Sequence, residues 1–222
     1  MLKDKVAKSI QVIRQAYKQY QSNIAVAWTG GKDSTVMLHL IRTAFQGKIP
    51  FPVVFNDSTM EFEEIYKFIN RISRLYNLNL QIVQHLPQDL ATFYSLKTYE
   101  TKEEFSRQMK INAINYAFKK HKYKGFMVGV RWDEHVARSK EQYFRQFDRQ
   151  IRVHPILHFR EEDIWEYIKE YNVPYICLYD QGYRSLGEAP FTRPATSSGS
   201  ERSGRSQAKE EAMANLRKYG YW

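Results

Sequence analysis

A short apolar run that ends in two adjacent glycines constrains this chain more than any other feature. Ile24-Ala25-Val26-Ala27-Trp28 reads as a buried strand, and Val36-Met37-Leu38-His39-Leu40-Ile41 reads as the opening of a helix. Between them lies Thr29-Gly30-Gly31-Lys32-Asp33-Ser34-Thr35. A strand, a tight glycine turn and a helix N-terminus together make an anion site. Backbone N–H groups point outward, no Cβ at Gly30 or Gly31 blocks approach, and the helix dipole favours negative charge. The natural occupant is a phosphate or pyrophosphate.

The segment is not an ordinary P-loop. That motif needs a glycine five residues before the glycine of the Gly-Lys pair, and Ser or Thr after the lysine. Val26 and Asp33 stand at those positions. A dinucleotide fingerprint is excluded too, because no Gly-x-Gly-x-x-Gly occurs in the chain. The competing reading of Gly-Gly alone is a plain turn. Lys32, Asp33, Ser34 and the strand-to-helix context favour a ligand.

At 222 residues the chain fits one domain with a C-terminal extension. No apolar run approaches the roughly 20 residues needed to span a bilayer. Met1-Leu2-Lys3-Asp4-Lys5 lacks the apolar region of a signal peptide. The single cysteine, Cys177, excludes an internal disulfide and a four-cysteine metal or iron–sulfur site within the chain. A cytoplasmic enzyme fits these features. The net charge of +10 suggests an anionic partner, either nucleic acid or a nucleotide with a small oxyanion. Lys119, Lys120, Lys122 and Lys124 form the clearest basic cluster, and they suit the end of a helix.

Helical spacing covers residues 5–20, and a helix runs from the glycine turn to about Ala44. Strands are expected at 52–55, 80–83 and 126–130, and a short extended piece at 153–156. Helices are expected after Thr59, through Phe62, Ile65, Phe68, Ile69 and Ile72, then over 103–121 and 161–171. This alternation predicts an α/β fold, a mostly parallel sheet with helices on both faces. Ligands gather beyond the carboxyl ends of such strands. Segments 29–35, 56–59 and 131–138 are therefore expected to converge. The division is a nucleotide-binding domain over 1–180 and an extension over 181–222. Within the extension, Thr192 to Gln207 reads as a loop or lid, and Ala208 to Tyr219 as a closing helix.

Asn56-Asp57-Ser58-Thr59 reads equally well as a helix cap or as a ribose or metal contact, and both readings stay open. The stretch from Gly129 to Lys140 is denser in charge than a surface loop needs. Arg131 follows a buried strand, where its fork must hold a carboxylate or phosphate. The competing readings are surface pairs, Arg131 with Asp133 and Arg138 with Glu134. His135 and His154 are read as structural, Trp132 and Trp165 as packing residues, and Cys177 as a buried, inert thiol in an apolar run.

Thr29 to Ser34 resembles the PP-loop, usually Ser-Gly-Gly-x-Asp-Ser, of enzymes that cleave ATP between the α and β phosphates. Together with the later segments it resembles the phosphoadenosine-phosphosulfate reductase family. Val36 to Leu40, Gly47-Lys48-Ile49-Pro50-Phe51-Pro52, the Arg131/Asp133/Glu134/Arg138 loop, Glu201-Arg202-Ser203-Gly204-Arg205 and Lys218 to Trp222 look most like ATP sulfurylase small subunits. Leu178 to Gly187 is similar across the wider family, including FAD synthetases. The family's reductases carry a nucleophilic cysteine near the C-terminus, and none stands here; Glu188 and Phe191 occupy nearby positions where cysteines often occur. The chain is also shorter than sulfurylase subunits between Tyr183 and Gly204.

The resemblance implies an adenine nucleotide alpha hydrolase-like, Rossmann-like fold and adenylyl transfer from ATP to sulfate. It implies that Thr29, Gly30, Gly31, Lys32, Asp33, Ser34 and Thr35 hold phosphates and that Asp33 positions Mg²⁺. Asp57, Ser58, Gly129 and Asp133 then border the nucleotide, and Arg131 faces the α-phosphate or the incoming anion. Lys32 and Arg131 are the expected catalytic residues. Arg184, Arg193, Arg202 and Arg205 are candidates for closing over the site. A GTPase large subunit is the implied partner, with no iron–sulfur cluster, no prosthetic flavin and no membrane. A homodimer and nucleic-acid partners stay open. The alternatives are transfer to FMN, nucleic-acid sulfur modification, and nucleotide binding without turnover.

Overall fold

The computed structural model describes residues 1–147, 150–196, 199–206 and 210. The closing helix expected over 208–219 lies outside these residues except at Glu210. The parallel sheet grows outward from β1 (Ile24–Ala27), whose side chains are almost wholly buried. On one side β1 pairs with β2 (Val53–Asp57), and β2 with β3 (Leu80–Gln84). On the other it pairs with β4 (Gly125–Val128), and β4 with β6 (Gln150–Val153). β5 (Phe144–Phe147) adds an antiparallel edge to β6, giving six strands in the order β3-β2-β1-β4-β6-β5.

Strand order reverses at β1, and the crevice beyond such a switch point is where open α/β sheets bind ligands. Helices α1 (Leu2–Tyr20), α2 (Lys32–Ala44), α3 (Glu63–Leu75) and α6 (Glu161–Glu170) cover one face, around Ile13, Trp28, Met37, Phe68 and Tyr167. On the other face lie α4 (Pro87–Ser95) and α5 (Tyr99–His121), with Ala113, Ala117 and Phe118 packed over Ala25, Val54 and Phe126. The α/β class and most helix and strand positions match expectation. The extended piece expected at 153–156 is instead β6 at Gln150–Val153, with a turn over 155–158. Two further elements were not expected. β5 escapes the sequence because Phe144–Phe147 is a half-exposed edge with only weak alternation. α4 escapes because it is nine residues long and buries only Asp89 and Phe93. Among the described residues no helix is long and apolar enough to cross a membrane.

Cys177 is corrected by the structure: it is exposed. It opens a 3₁₀ turn, Cys177–Gln181, in which its neighbours Ile176 and Leu178 take the inward positions.

His154 is fully buried beside Glu141, and its Nδ1 meets the Gln142 carbonyl at 2.8 Å. Burial pulls its pKa down to about 4. An unfolded chain takes up this proton first, near pH 6.5, so the group's contribution is present above that value and is lost as pH falls towards 4. The expected loss is about 3 kcal/mol. Urea denaturation from pH 7 to 4 should show a steeper decline for the wild type than for His154→Asn.

Candidate active site

The glycine turn is built as a cradle. Gly30 has φ +78°, a conformation that strains L side chains. Gly31 precedes the first residue of α2. Thr29 and Ser34 hydroxyls lie 3.2 Å apart, Ser34 Oγ donates to the Gly31 carbonyl at 3.0 Å, and Thr35 Oγ1 donates to the Gly30 carbonyl at 3.3 Å. Trp28 Nε1 in turn donates to Thr35 Oγ1 at 3.1 Å, which ties the turn to the end of β1. The Lys32 N–H is used internally, on the Tyr179 hydroxyl at 2.8 Å. The next two amides of the helix, at Asp33 and Ser34, have no acceptor among the described residues. These are the orphan donors of a helix start.

Gly129 lies at the end of β4 against this turn. A Cβ there would stand 3.0 Å from Ser34 Cα and 3.1 Å from Ser34 N, so any larger residue would push the turn back by a few tenths of an ångström. Thr29, Gly31, Asp33, Ser34 and Gly129 all line one cavity of about 330 Å³. Its inner walls are apolar: Ala27 and Val54 on the sheet, Phe126 and Val128 on β4, Ile111 and Ile114 on α5. Asn56, Glu61 and Tyr179 add polar groups, and Arg138, Arg152, Arg202 and Arg205 make much of it cationic.

Lys32 and Arg131 lie just behind the lining, at 1 % and 0 % exposure. Lys32 Nζ donates to the Arg184 carbonyl at 2.7 Å and pairs with Asp33 at 3.4 Å and with Glu201. Arg131 Nε lies 2.7 Å from Asp33 Oδ1, its Nη1 3.4 Å from Asp133, and its Nη2 bonds Glu201. Burial alone would pull both pKa values down. The carboxylates of Asp33 and Glu201 outweigh it and hold each above its ordinary pKa. Burial, then Asp33, drive Glu201 the other way, up to about 7.

The pairs foreseen as surface contacts both form; Arg131 meets an exposed Asp133 from a buried position, whereas the Arg138–Glu134 pair is buried at both ends. Arg138 is buried on Glu134, and Arg202 meets the same carboxylate at 2.8 Å. Arg138 and Arg202 overcome the burial of Glu134 and keep it ionised well below the usual range. Arg205 donates to the Leu186 carbonyl and Ser185 Oγ, and no carboxylate lies within ion-pair distance of it among the described residues. Burial and the neighbouring Arg202 pull its pKa down to about 10.

The structure separates the other predicted residues by role. Asp57 accepts from Thr59 N and Tyr66 Oη, each at 2.8 Å, and from Gln84 Nε2 at 3.2 Å. Ser58 is buried and donates to Glu61 at 2.7 Å. Neither lines the cavity; their neighbours Asn56 and Glu61 do. Asp133 accepts the Glu161 N–H at 3.1 Å at the start of α6 as well as facing Arg131. Arg184 pairs with Glu161, while Arg193 donates to Thr192 O at 3.2 Å. Sequence reasoning missed Arg107, Lys110, Ile111 and Ile114. Their spacing of three, four and seven marks one stripe of α5, and that stripe faces the cavity. Tyr179 stood in a recognised stretch but had no assigned role.

Fold and cradle together define a PP-loop-type α/β protein: a glycine turn at the switch strand, orphan helix amides and buried cations around a cavity. Residues 23–194 match the phosphoadenosine phosphosulfate reductase domain, and the chain belongs to that family. Sulfate adenylyltransferase subunit 2 of Pseudomonas fluorescens is 31 % identical over 214 residues, covering 84 % of this chain and 69 % of that protein. The adenosine 5'-phosphosulfate reductase of Halalkalibacterium halodurans is 29 % identical over 203 residues, covering 89 % and 86 %. Among solved structures, phosphoadenylyl-sulfate reductase from Candida auris, a phosphate complex, superposes with TM-score 0.70 at 20 % identity over 84 % of this chain and 90 % of that one. FMN adenylyltransferase of Candida glabrata, in complex with ATP, gives TM-score 0.67 at 20 % identity over 87 % and 63 %. The two structures show a shared fold.

Proposed function

We propose that the protein is an ATP-dependent adenylyltransferase whose acceptor is a small oxyanion, with sulfate as the favoured substrate. The observation that carries this reading is the pair of orphan amides at Asp33 and Ser34, opening into a cavity backed by Lys32 and Arg131. Polyphosphate oxygens take those amides, and the adenosine lies along the apolar wall. An acceptor oxygen attacks the α-phosphorus in line; the bond from that phosphorus to the bridging oxygen breaks and pyrophosphate leaves. Positioning and charge neutralisation account for most of such catalysis. Arg131 stabilises charge at the α-phosphorus, Lys32 charge on the departing pyrophosphate, and Arg205 attracts the acceptor.

Among the described residues no group of three metal-ligating side chains exists. Asp33, a carboxylate that lines the cavity at the glycine turn, fits a Mg²⁺ that arrives on the nucleotide, since Mg²⁺ is bound by one or two carboxylates plus substrate phosphates. When bound, the ion would supply charge neutralisation between phosphates.

Two comparisons among acceptors support the small anion. A cavity of about 330 Å³ is at the low end for small-molecule sites, about 300–1,000 Å³, and suits one nucleotide with a small anion better than two nucleotide-sized ligands. Reduction of a sulfonucleotide by a cysteine thiolate is disfavoured, because Cys177 does not line the cavity. Sulfate adenylation is uphill, so net product is a poor readout. The test is exchange of labelled pyrophosphate into ATP. Exchange that requires sulfate is the expected result; exchange that requires FMN, or none with any acceptor, overturns the assignment.

A further inference from the structure

The anion position between the two buried cations is already filled from within the chain. One carboxylate oxygen of Glu201 accepts from Lys32 Nζ and the other from Arg131 Nη2. Lys32 starts α2, Arg131 follows β4, and Glu201 reaches them from about 70 and 169 residues along the chain. A single anion spanning two cations is the arrangement a phosphate adopts. Neither Lys32, Arg131 nor Glu201 lines the cavity. A polyphosphate resting on the Asp33 and Ser34 amides therefore meets those cations only after Glu201 has moved.

We infer that Glu201 is an internal stand-in for a substrate phosphate, and that nucleotide binding exchanges one anion for the other. The inference rests on the nucleotide reading of the cavity. It explains how Lys32 and Arg131 remain almost wholly buried before substrate arrives: a buried cation without a partner is costly, and Glu201 supplies the missing charge. The exchange keeps an anion on both cations throughout. Glu201 is also poorly placed as a permanent resident, since Asp33 and Glu134 are close enough to oppose its ionisation. Its segment is held by replaceable contacts: Arg184 Nη1 on the Gly199 carbonyl at 2.9 Å, Arg193 N on the Gly204 carbonyl at 2.8 Å, and Arg202 on Glu134.

The test uses inorganic pyrophosphate and the full chain. Calorimetric titration should show Glu201→Gln binding about tenfold more tightly than the wild type, because the competing charge is gone. In the wild type, pyrophosphate should speed hydrogen exchange at the Ser203 and Arg205 amides, which donate to Ser200 and Arg202 carbonyls at 3.0 and 2.8 Å. Equal or weaker binding by Glu201→Gln, or unchanged exchange at both amides, removes the competition and leaves the nucleotide site standing. Binding by neither protein removes both. The exchange measurement needs no variant, so it decides the question even where the substitution harms folding.

Discussion

Lys32→Ala should lower pyrophosphate–ATP exchange by about a thousandfold while leaving the protein folded, the scale expected when a transition-state charge loses its fixed counter-charge. Two facts make the separation possible. Lys32 contributes almost no surface, and its ammonium meets polar groups, the Arg184 carbonyl, Asp33 and Glu201. Its removal also leaves Arg131 on both Asp33 and Glu201, so neither carboxylate is abandoned. The Lys32 N–H that meets Tyr179 belongs to the backbone and survives the substitution. Circular dichroism should therefore stay close to wild type, with a smaller fall in melting temperature than Arg131→Met produces, because Lys32 pairs with two carboxylates and Arg131 with three. Lys32→Arg should recover little, since a broader guanidinium cannot occupy a cavity shaped for an ammonium. Exchange at the wild-type rate in Lys32→Ala would remove the lysine from the chemistry.

Arg131→Met should instead damage the fold. Arg131 has no exposed surface and faces three carboxylates, Asp33, Asp133 and Glu201. Methionine keeps much of the volume and discards the charge. Removing one partner from a buried ionic cluster costs about 3–5 kcal/mol, because the groups left behind cannot recover their hydration. For a chain of this size that corresponds to a fall of about 10 °C in melting temperature. The loss should shrink as pH falls through the range where Glu201 takes up a proton, near 7, and the variant should be rescued in part at pH 6. A melting temperature unchanged at pH 8 would show that the cluster is more hydrated than its burial indicates.

The two substitutions test residues that the sequence marks for different reasons and that the structure places together on Glu201. Lys32 was legible because it sits inside a motif with fixed spacing. Arg131 was legible because a guanidinium directly after Val128-Gly129-Val130 has nowhere to go without a partner. Pattern also gave the central strands, since β1, β4 and the first three residues of β2 are apolar runs, the pattern of parallel strands covered on both faces. The edge was harder to read: half-exposed strands such as β5 carry a diluted signal. The identity of Glu201 as the carboxylate on both cations was beyond sequence reasoning, because no local pattern records a contact across 169 residues. The Gly129 contact with Ser34 was hidden for the same reason. Asp57 shows the converse. At the end of β2 it read equally as a cap or a ligand contact, and its three hydrogen bonds go to Thr59, Tyr66 and Gln84.

Tyr179 carries one more consequence. Its hydroxyl takes the Lys32 N–H, its ring lies 5.5 Å from the Lys32 ammonium, and Trp165 packs edge-on against it. The cradle is thus finished at Lys32 by a side chain 147 positions later. During synthesis the glycine turn leaves the ribosome long before its counterpart exists. Contacts this distant close late, after the entropy of a long loop has been overcome. A growing or truncated chain that stops before the 3₁₀ turn at Cys177–Gln181 therefore holds the recognisable motif without a working cradle.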